Sequence, residues 1–140
     1  MIRTAEAADS GPIYHLVCQL ERCALPEDAF QAILRAQLAD PRHVFLILEE
    51  EGSAAGLLHL RLEPQLHHAA LVAEILEFVV DEPLRGRGLG AALLREAARQ
   101  AKERGCTQLE VACNQTRTAS HRFYESQGLT RSHYKFAKPL

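Results

Sequence analysis

EFVVDEPLRGRGLGAALLREAARQ, residues 77–100, joins an apolar strand-like run to an alanine-rich helix-like run through a loop with glycine at every second position. The loop residues are Arg85, Gly86, Arg87, Gly88, Leu89 and Gly90. A glycine loop that opens a helix presents free backbone N–H groups where the helix dipole is positive, and guanidinium groups add charge suited to phosphate. We therefore predict a loop that binds a di-anion such as a pyrophosphate, in preference to a plain tight turn with solvated arginines.

Two common classes of phosphate loop can be tested against this segment. A P-loop needs G-K-[ST] after its second glycine, and no such residues follow here. The dinucleotide fingerprint G-x-G-x-x-G/A is satisfied by Gly86, Gly88 and Ala91, and Glu110 lies roughly 20 residues beyond it. That fold repeats strand–helix–strand units, whereas two helices and a hairpin precede this loop. A nicotinamide-dependent oxidoreductase stays open as an alternative, which a nicotinamide-binding test would decide.

Composition limits the classes of function. The chain has 140 residues, 47% hydrophobic and 24% charged, and we predict one domain over residues 1–140. The net charge of -2, with no long block of one sign, argues against nucleic acid as a partner. No apolar run approaches the roughly 18 residues of a membrane span. The N-terminal sequence MIRTAEAADSG lacks the apolar region of a signal peptide, so we expect a cytoplasmic protein without membrane partners.

The four cysteines, Cys18, Cys23, Cys106 and Cys113, have no C-x-x-C spacing. We expect buried or half-buried free thiols, with a zinc site as the alternative.

Hydrophobic periodicity predicts the order β-α-α-β-β-β-α-β-α-β. The predicted strands are residues 2–5, 43–50, 54–64, 70–82, 107–113 and 130–140. The predicted helices are residues 10–23, 25–38, 89–104 and 118–128. Short connections and mixed order indicate an α/β (α+β) domain, in which about four helices flank one mixed central sheet.

At this point the residues resemble a known family. VVDEPLRGRGLGAALL, residues 79–94, resembles motif A of the GCN5-related N-acetyltransferases, with Arg85, Gly88 and Gly90 at the positions of [RQ]-x-x-G-x-[GA]. NQTRTASHRFYESQGL, residues 114–129, resembles the family's second motif. The segments HLRL, QLHHAALVAEILEFVV and SHRFYESQGLTRSHYKFAK are similar to one group within the family, the aminoalkylphosphonate N-acetyltransferases. The resemblance covers essentially the whole chain.

The resemblance implies acetyl-coenzyme A as the acetyl donor. Its pyrophosphate would lie on the N–H groups of the glycine loop, and its pantetheine arm would run beside the strand that precedes the loop. A bulge in that strand would direct the N–H of Val79 or Val80 at the thioester carbonyl. The implied coenzyme-binding residues are Phe78, Val79, Val80, Arg85, Gly86, Arg87, Gly88, Leu89, Gly90, Asn114 and Phe123.

The reaction implied is direct attack of a primary amine of a small molecule on the thioester. A free alkylamine is mostly protonated at pH 7, so a base must take a proton, and Glu74 and Glu77 are the candidates. Three residues apart on one strand, they are expected on opposite faces of the sheet, and Glu74 matches the position of a basic glutamate in related enzymes. Tyr124 matches the family's tyrosine that protonates the leaving thiolate.

For the acceptor site we predict basic side chains that recognise an anionic group, plausibly a phosphonate. The candidates are His59, His67, His68, His133 and Lys135. Adjacent histidines on a strand point to opposite faces, so at most one of His67 and His68 is expected to face the cleft, and either could ligate a divalent metal. Lys135 stands where those enzymes are expected to carry arginine. A lysine cannot form the bidentate hydrogen bonds that a guanidinium group makes to phosphonate oxygens.

The acceptor is therefore left open. The other acceptors considered are an amino sugar phosphate, a polyamine, an aminoglycoside and a protein lysine, and a non-catalytic coenzyme A-binding module is a further alternative. Homodimers are common in the family, although no residue here demands one.

Overall fold

The computed structural model describes residues 1–140. The strands are β1 (Ile2–Thr4), β2 (His43–Glu50), β3 (Ser53–Gln65), β4 (Ala70–Val80) and β5 (Gln108–Val111). The helices are α1 (Ser10–Glu21), α2 (Glu27–Leu38), α3 (Leu89–Glu103) and α4 (Thr118–Ser126). Short 3-10 turns cover Ala7–Asp9 and Glu82–Leu84.

All five strands form one sheet in the order β1-β2-β3-β4-β5. The first four are antiparallel neighbours, and β5 is parallel to β4 because α3 carries the chain back across the sheet. The apolar side chains of successive strand residues form two cores, one on each face. The core on one face includes Leu93, Leu94 and Ala97 of α3, and the core on the other includes Ile13, Leu16 and Val17 of α1. The predicted single-domain α/β class is confirmed.

The predicted last strand is wrong. Residues 130–140 form no regular element, and none of their backbone N–H or C=O groups takes part in a backbone hydrogen bond. β5 ends the sheet, so its outer edge is unpaired as well. Polar and aromatic residues alternate in this segment, as a strand pattern requires, but a strand forms only where a neighbouring edge pairs with it. We call residues 130–140 the C-terminal tail.

The pairing of β4 changes at one residue. His59 pairs with Glu77 and Leu60 pairs with Ile75, so Leu76 is an extra residue that bulges out of the ladder. On the other side, the parallel pairing of β4 with β5 ends at Ile75 and Val111. Beyond the bulge, β4 therefore has an edge with no partner strand, and the sheet opens between β4 and the chain that follows β5.

None of the four helices combines the length and the apolar character that a membrane span requires. All four cysteines are free thiols, and Cys23 is the exposed one.

Candidate active site

The glycine loop has the geometry of an anion-binding turn. Gly86 and Gly88 both have φ of +77°, a left-handed conformation that residues with a side chain adopt only with strain. α3 begins at Leu89, with Gly88 as its N-cap. No intrachain hydrogen bond uses the N–H groups of residues 86–91, because the loop makes no ladder and the first turn of a helix has no acceptors before it. These donors are free for a ligand.

Arg85 does not point outward as a phosphate ligand. Its Nε donates to the carbonyl of Val80 at 2.9 Å, and its Nη2 donates to Oε1 of Gln19 at 3.2 Å. The same Gln19 oxygen accepts the N–H of Glu82 at 3.1 Å, and Gln19 Nε2 donates to Asp81 at 2.9 Å. Gln19 on α1 thus braces the start of the loop. The sequence carries no signal for it beyond a polar residue beside the apolar stripe of α1. Arg87 is exposed and makes no hydrogen bond.

The open edge of β4 presents backbone groups of alternate residues. The N–H of Asp81 donates to the carbonyl of Ala55 at 2.8 Å, which makes these two residues a hydrogen-bonded pair. Because such pairs alternate along an antiparallel ladder, Val79 is bonded to Leu57 and its N–H points to β3. Phe78 and Val80 direct their N–H groups to the open edge. Of the two oxyanion donors that the sequence suggested, the register therefore places Val80, and not Val79, at the opening.

Glu74 and Glu77 lie on the same face of the sheet, so the prediction of opposite faces is wrong. Glu74 Oε2 accepts from Arg61 at 2.7 Å, and Glu77 Oε2 lies 2.5 Å from His59 Nδ1. Arg61 and His59 are two residues apart on β3 and share a face. The reason is the bulge at Leu76, which adds one residue between the two glutamates and reverses the alternation.

The two glutamates have different surroundings. Glu74 is engaged in an ion pair and sits where β4 still pairs with β5, opposite Glu110. Glu77 follows the bulge, next to the open edge, with its side chain 34% exposed. Glu77 is therefore the better-placed carboxylate for a group bound at the opening.

His59 cannot touch a ligand directly. It is 1% exposed, its ring stacks on Phe45 at a centroid distance of 3.8 Å, and its Nε2 lies 2.8 Å from Nδ1 of His43. His43 begins β2 and is half-buried. Burial, with His59 as a lesser cause, lowers the pKa of His43 below its ordinary value. Sequence reasoning missed His43, because only the β2–β3 register brings it next to His59.

Tyr124 approaches the opening from the opposite face. Its ring lies 6.3 Å from that of Phe78 and 5.5 Å from that of Phe123, and Phe78 packs against the core that includes α3. Burial, with the neighbouring Cys113 as a lesser cause, raises the pKa of Tyr124 to about 12. The phenol thus keeps its proton throughout the physiological range. Glu77 and Tyr124 flank the open edge from the two faces of the sheet.

Asn114 lies in the turn after β5. Its Oδ1 accepts from the N–H of Thr116 at 2.9 Å and from the Thr116 hydroxyl at 2.8 Å. Its carbonyl accepts from His121 Nε2 at 2.8 Å. The side-chain NH₂ group has no intrachain acceptor, so it remains available to a ligand in the opening.

The other predicted acceptor residues do not converge with this site. His67 and His68 lie in the exposed turn between β3 and β4, six positions beyond the His59–Glu77 row, about 20 Å along the strands. His68 Nδ1 donates to Gln65 there at 2.7 Å. His133 and Lys135 are exposed on the C-terminal tail. No group of three or more His, Cys, Asp or Glu side chains could hold a metal ion, so the expectation of a divalent metal at His67 or His68 finds no support.

The arrangement combines an anion-binding loop, an open strand edge, a carboxylate on one face and a phenol on the other. It suits proton removal and proton donation on the two sides of a thin, linear ligand laid along β4.

Comparison with known proteins agrees with this reading. The sequence model of the acetyltransferase (GNAT) family matches residues 12–129. The aminoalkylphosphonate N-acetyltransferase of Salmonella typhimurium is 34% identical over 139 residues, which cover 99% of this chain and 90% of that one. A putative acetyltransferase from Agrobacterium tumefaciens has a TM-score of 0.89 at 26% identity, covering 100% of this chain and 99% of that one. An aminoglycoside N-acetyltransferase solved with coenzyme A has a TM-score of 0.90 at 18% identity, covering 100% and 93%.

Proposed function

The chain belongs to the acetyltransferase (GNAT) family, and on that premise we propose that it transfers an acetyl group from acetyl-coenzyme A to the primary amine of an aminoalkylphosphonate. The single observation that carries the mechanism is the open edge of β4, flanked by Glu77 and Tyr124 and continuous with the glycine loop. The likeness to the Salmonella enzyme supports the choice of acceptor class.

The residues present fit acetyl-coenzyme A. The free N–H groups of residues 86–91 suit its pyrophosphate, and the outward backbone groups of Phe78 and Val80 suit an extended pantetheine arm paired like an added strand. Asn114 would contribute its free NH₂ group. The bound coenzyme supplies the acetyl group as an activated thioester.

Glu77 accepts a proton from the ammonium group of the acceptor, which leaves a neutral amine able to form the C–N bond as the C–S bond breaks. The N–H of Val80 donates to the thioester oxygen, where negative charge grows. The Tyr124 hydroxyl would give its proton to the departing coenzyme thiolate, and the second proton of the reacting nitrogen would return through solvent to restore the Tyr124 hydroxyl. One proton in total is released to solvent.

Glu77 replaces Glu74 as the preferred base. Glu74 already forms an ion pair with Arg61. We assign this pair to the binding of the acceptor's phosphonate end, away from the reacting amine. The Arg61–Glu74 row lies two residues along β3 from the His59–Glu77 row, about 6.6 Å away. That spacing is comparable with the reach of a short aminoalkylphosphonate. The Arg61 side chain is 39% exposed and bonds Glu74 through Nη2, so its Nη1 could donate to a phosphonate oxygen.

Acetyl-coenzyme A turnover, followed by free thiol release, tests this proposal. The amine panel contains 2-aminoethylphosphonate, 1-aminoethylphosphonate, glucosamine 6-phosphate and spermidine. We expect turnover of the aminophosphonates, and a fall of about 100-fold or more in kcat/KM in Glu77→Gln. Glu74→Gln should mainly raise the KM of the acceptor.

Three outcomes would contradict parts of the proposal. Turnover of spermidine alone would remove the anion-binding role of Arg61, and an unaffected Glu77→Gln would remove Glu77 as base. A protein that does not bind acetyl-coenzyme A would contradict the proposed activity as a whole.

A further inference from the structure

Three side chains on neighbouring strands form one hydrogen-bonded row across the face that α1 and α2 cover. His43 on β2 lies 2.8 Å from His59 on β3, and His59 lies 2.5 Å from Glu77 on β4. His59 is held between them by burial and by its stack on Phe45. An ordinary ion pair needs one partner for its carboxylate. Here a second histidine, His43, is bonded to the partner of Glu77.

The row has one consistent polarity. An ionised carboxylate only accepts hydrogen bonds, so His59 Nδ1 carries a proton and donates it to Glu77. In a neutral His59 the other ring nitrogen, Nε2, is then an acceptor, so His43 donates to it from Nδ1. His43 can donate from Nδ1 in its neutral and in its protonated form, so this direction does not depend on the charge of His43.

We propose that His59 is a positioning residue for acetyl transfer: its hydrogen bond directs the Glu77 carboxylate along the sheet to the open edge of β4, and His43 fixes the tautomer of His59. The proposal deepens the proposed function and rests on it, since Glu77 matters here as the base.

Few other charges act on Glu77. On its own face the neighbouring row contributes Arg61 and Glu74, which neutralise each other through their ion pair. The helices packed on this face present apolar side chains to it, namely Ile13, Leu16, Val17 and Leu34. The hydrogen bond from His59 is therefore the main local contact that sets the direction of the Glu77 carboxylate.

A pair of substitutions separates positioning from packing. His59→Leu removes the donor and keeps an apolar side chain, whereas His59→Asn keeps an N–H near the position of Nδ1. We expect His59→Leu to lower kcat by about 10- to 100-fold, with the KM of acetyl-coenzyme A unchanged. His59→Asn should recover most of the activity, because it restores a donor to the Glu77 carboxylate.

The matched control is His15→Gln, which changes an exposed histidine of α1 and should behave as wild type. Equal losses in His59→Leu and His59→Asn, or a loss in His59→Leu that appears only as a raised KM of acetyl-coenzyme A, would overturn the positioning role. Failure of the proposed function would look different: the wild type itself would release no thiol.

Discussion

At the scale of single residues, the candidate chemistry depends on side chains that reach one strand edge from two faces. Glu77 comes from the face of α1, and Tyr124 comes from the face of α3. A base and an acid on opposite sides of a thin ligand can act in the same turnover without exchanging protons with each other. The raised pKa of Tyr124 makes it a group that always holds a proton to give.

Tyr124→Phe should lower kcat by about 100-fold while the affinity for coenzyme A stays within about twofold. The substitution removes the hydroxyl and keeps the ring that packs on Phe78 and Phe123. Because the pKa of Tyr124 is about 12, the wild type should show no loss of kcat from its ionisation up to about pH 10. Steady-state thiol release against pH measures this, together with calorimetric titration of coenzyme A.

Tyr134→Phe is the matched control, since Tyr134 is exposed and its hydroxyl makes no hydrogen bond. Unchanged turnover in Tyr124→Phe would assign proton donation to another group, such as water.

At the scale of elements, one bulge and one glycine loop create the site. The bulge at Leu76 interrupts the β3–β4 ladder and places both glutamates on one face. Beyond it, β4 has lost its pairing with β5, and the loop leads from this open edge to the N-terminus of α3. An open strand edge followed directly by a helix N-terminus suits an extended ligand with a charged end.

Gly88→Glu should abolish coenzyme binding. The substitution places a carboxylate at the N-terminus of α3, where we propose that the loop donors bind the pyrophosphate, and it strains a position with φ of +77°. Calorimetric titration of coenzyme A should show at least a 100-fold loss of affinity.

Gly52→Glu is the matched control for Gly88→Glu. It introduces the same backbone strain and the same carboxylate at a position away from the glycine loop. Gly52 lies in the β2–β3 turn with the same φ of +77° and equally open space around it. It should lower the melting temperature by a similar amount as Gly88→Glu and leave coenzyme affinity unchanged. Wild-type affinity in Gly88→Glu would exclude the loop as the pyrophosphate site.

At the scale of the whole molecule, a charged cluster ties the N-terminus to the sheet. Both Nη atoms of Arg3 donate to the Asp9 carboxylate at 2.9 Å, and its Nε donates to Glu49 at 2.6 Å. Asp9 also accepts the N–H of Glu6 at 2.7 Å and is 7% exposed. β1, the turn before α1 and β2 are thereby joined at one point, and Arg3 lowers the pKa of Asp9.

Asp9→Asn should lower the melting temperature at pH 7 by about 3–6 °C. The pKa of Asp9 is lowered in the folded state, so its charge stabilises the fold above the unfolded-state value and that contribution fades as the pH falls through the folded-state value. The difference between wild type and Asp9→Asn should therefore be constant from about pH 6 to 8 and shrink below about pH 4. Calorimetric scans over this range measure it, and a constant difference at low pH would contradict the assignment.

Local signals in the sequence were sufficient to predict the class of fold, the order of nine of the ten predicted elements and the free backbone N–H groups of the glycine loop. These signals are the period of apolar residues, the alternating glycines and a helix that begins directly after them. The resemblance implied that Tyr124 acts beside β4, and its ring lies 6.3 Å from that of Phe78, while its role as an acid stays a prediction. Most of these features depend on residues that are close together in the sequence.

Strand pairing shows which glutamate lies next to the opening, which N–H groups of β4 face it and which histidines meet. Alternation along β4 predicts opposite faces for Glu74 and Glu77, and one bulged residue, set by pairing with β3, reverses the result. His43 and His59 are 16 residues apart and meet through strand register, whereas His67 and His68 lie in the β3–β4 turn and His133 lies on the tail. The tail has the pattern of a strand but does not pair with the free outer edge of β5 in its own chain. Register and edges are properties of two segments at once, so no single segment of the sequence contains them.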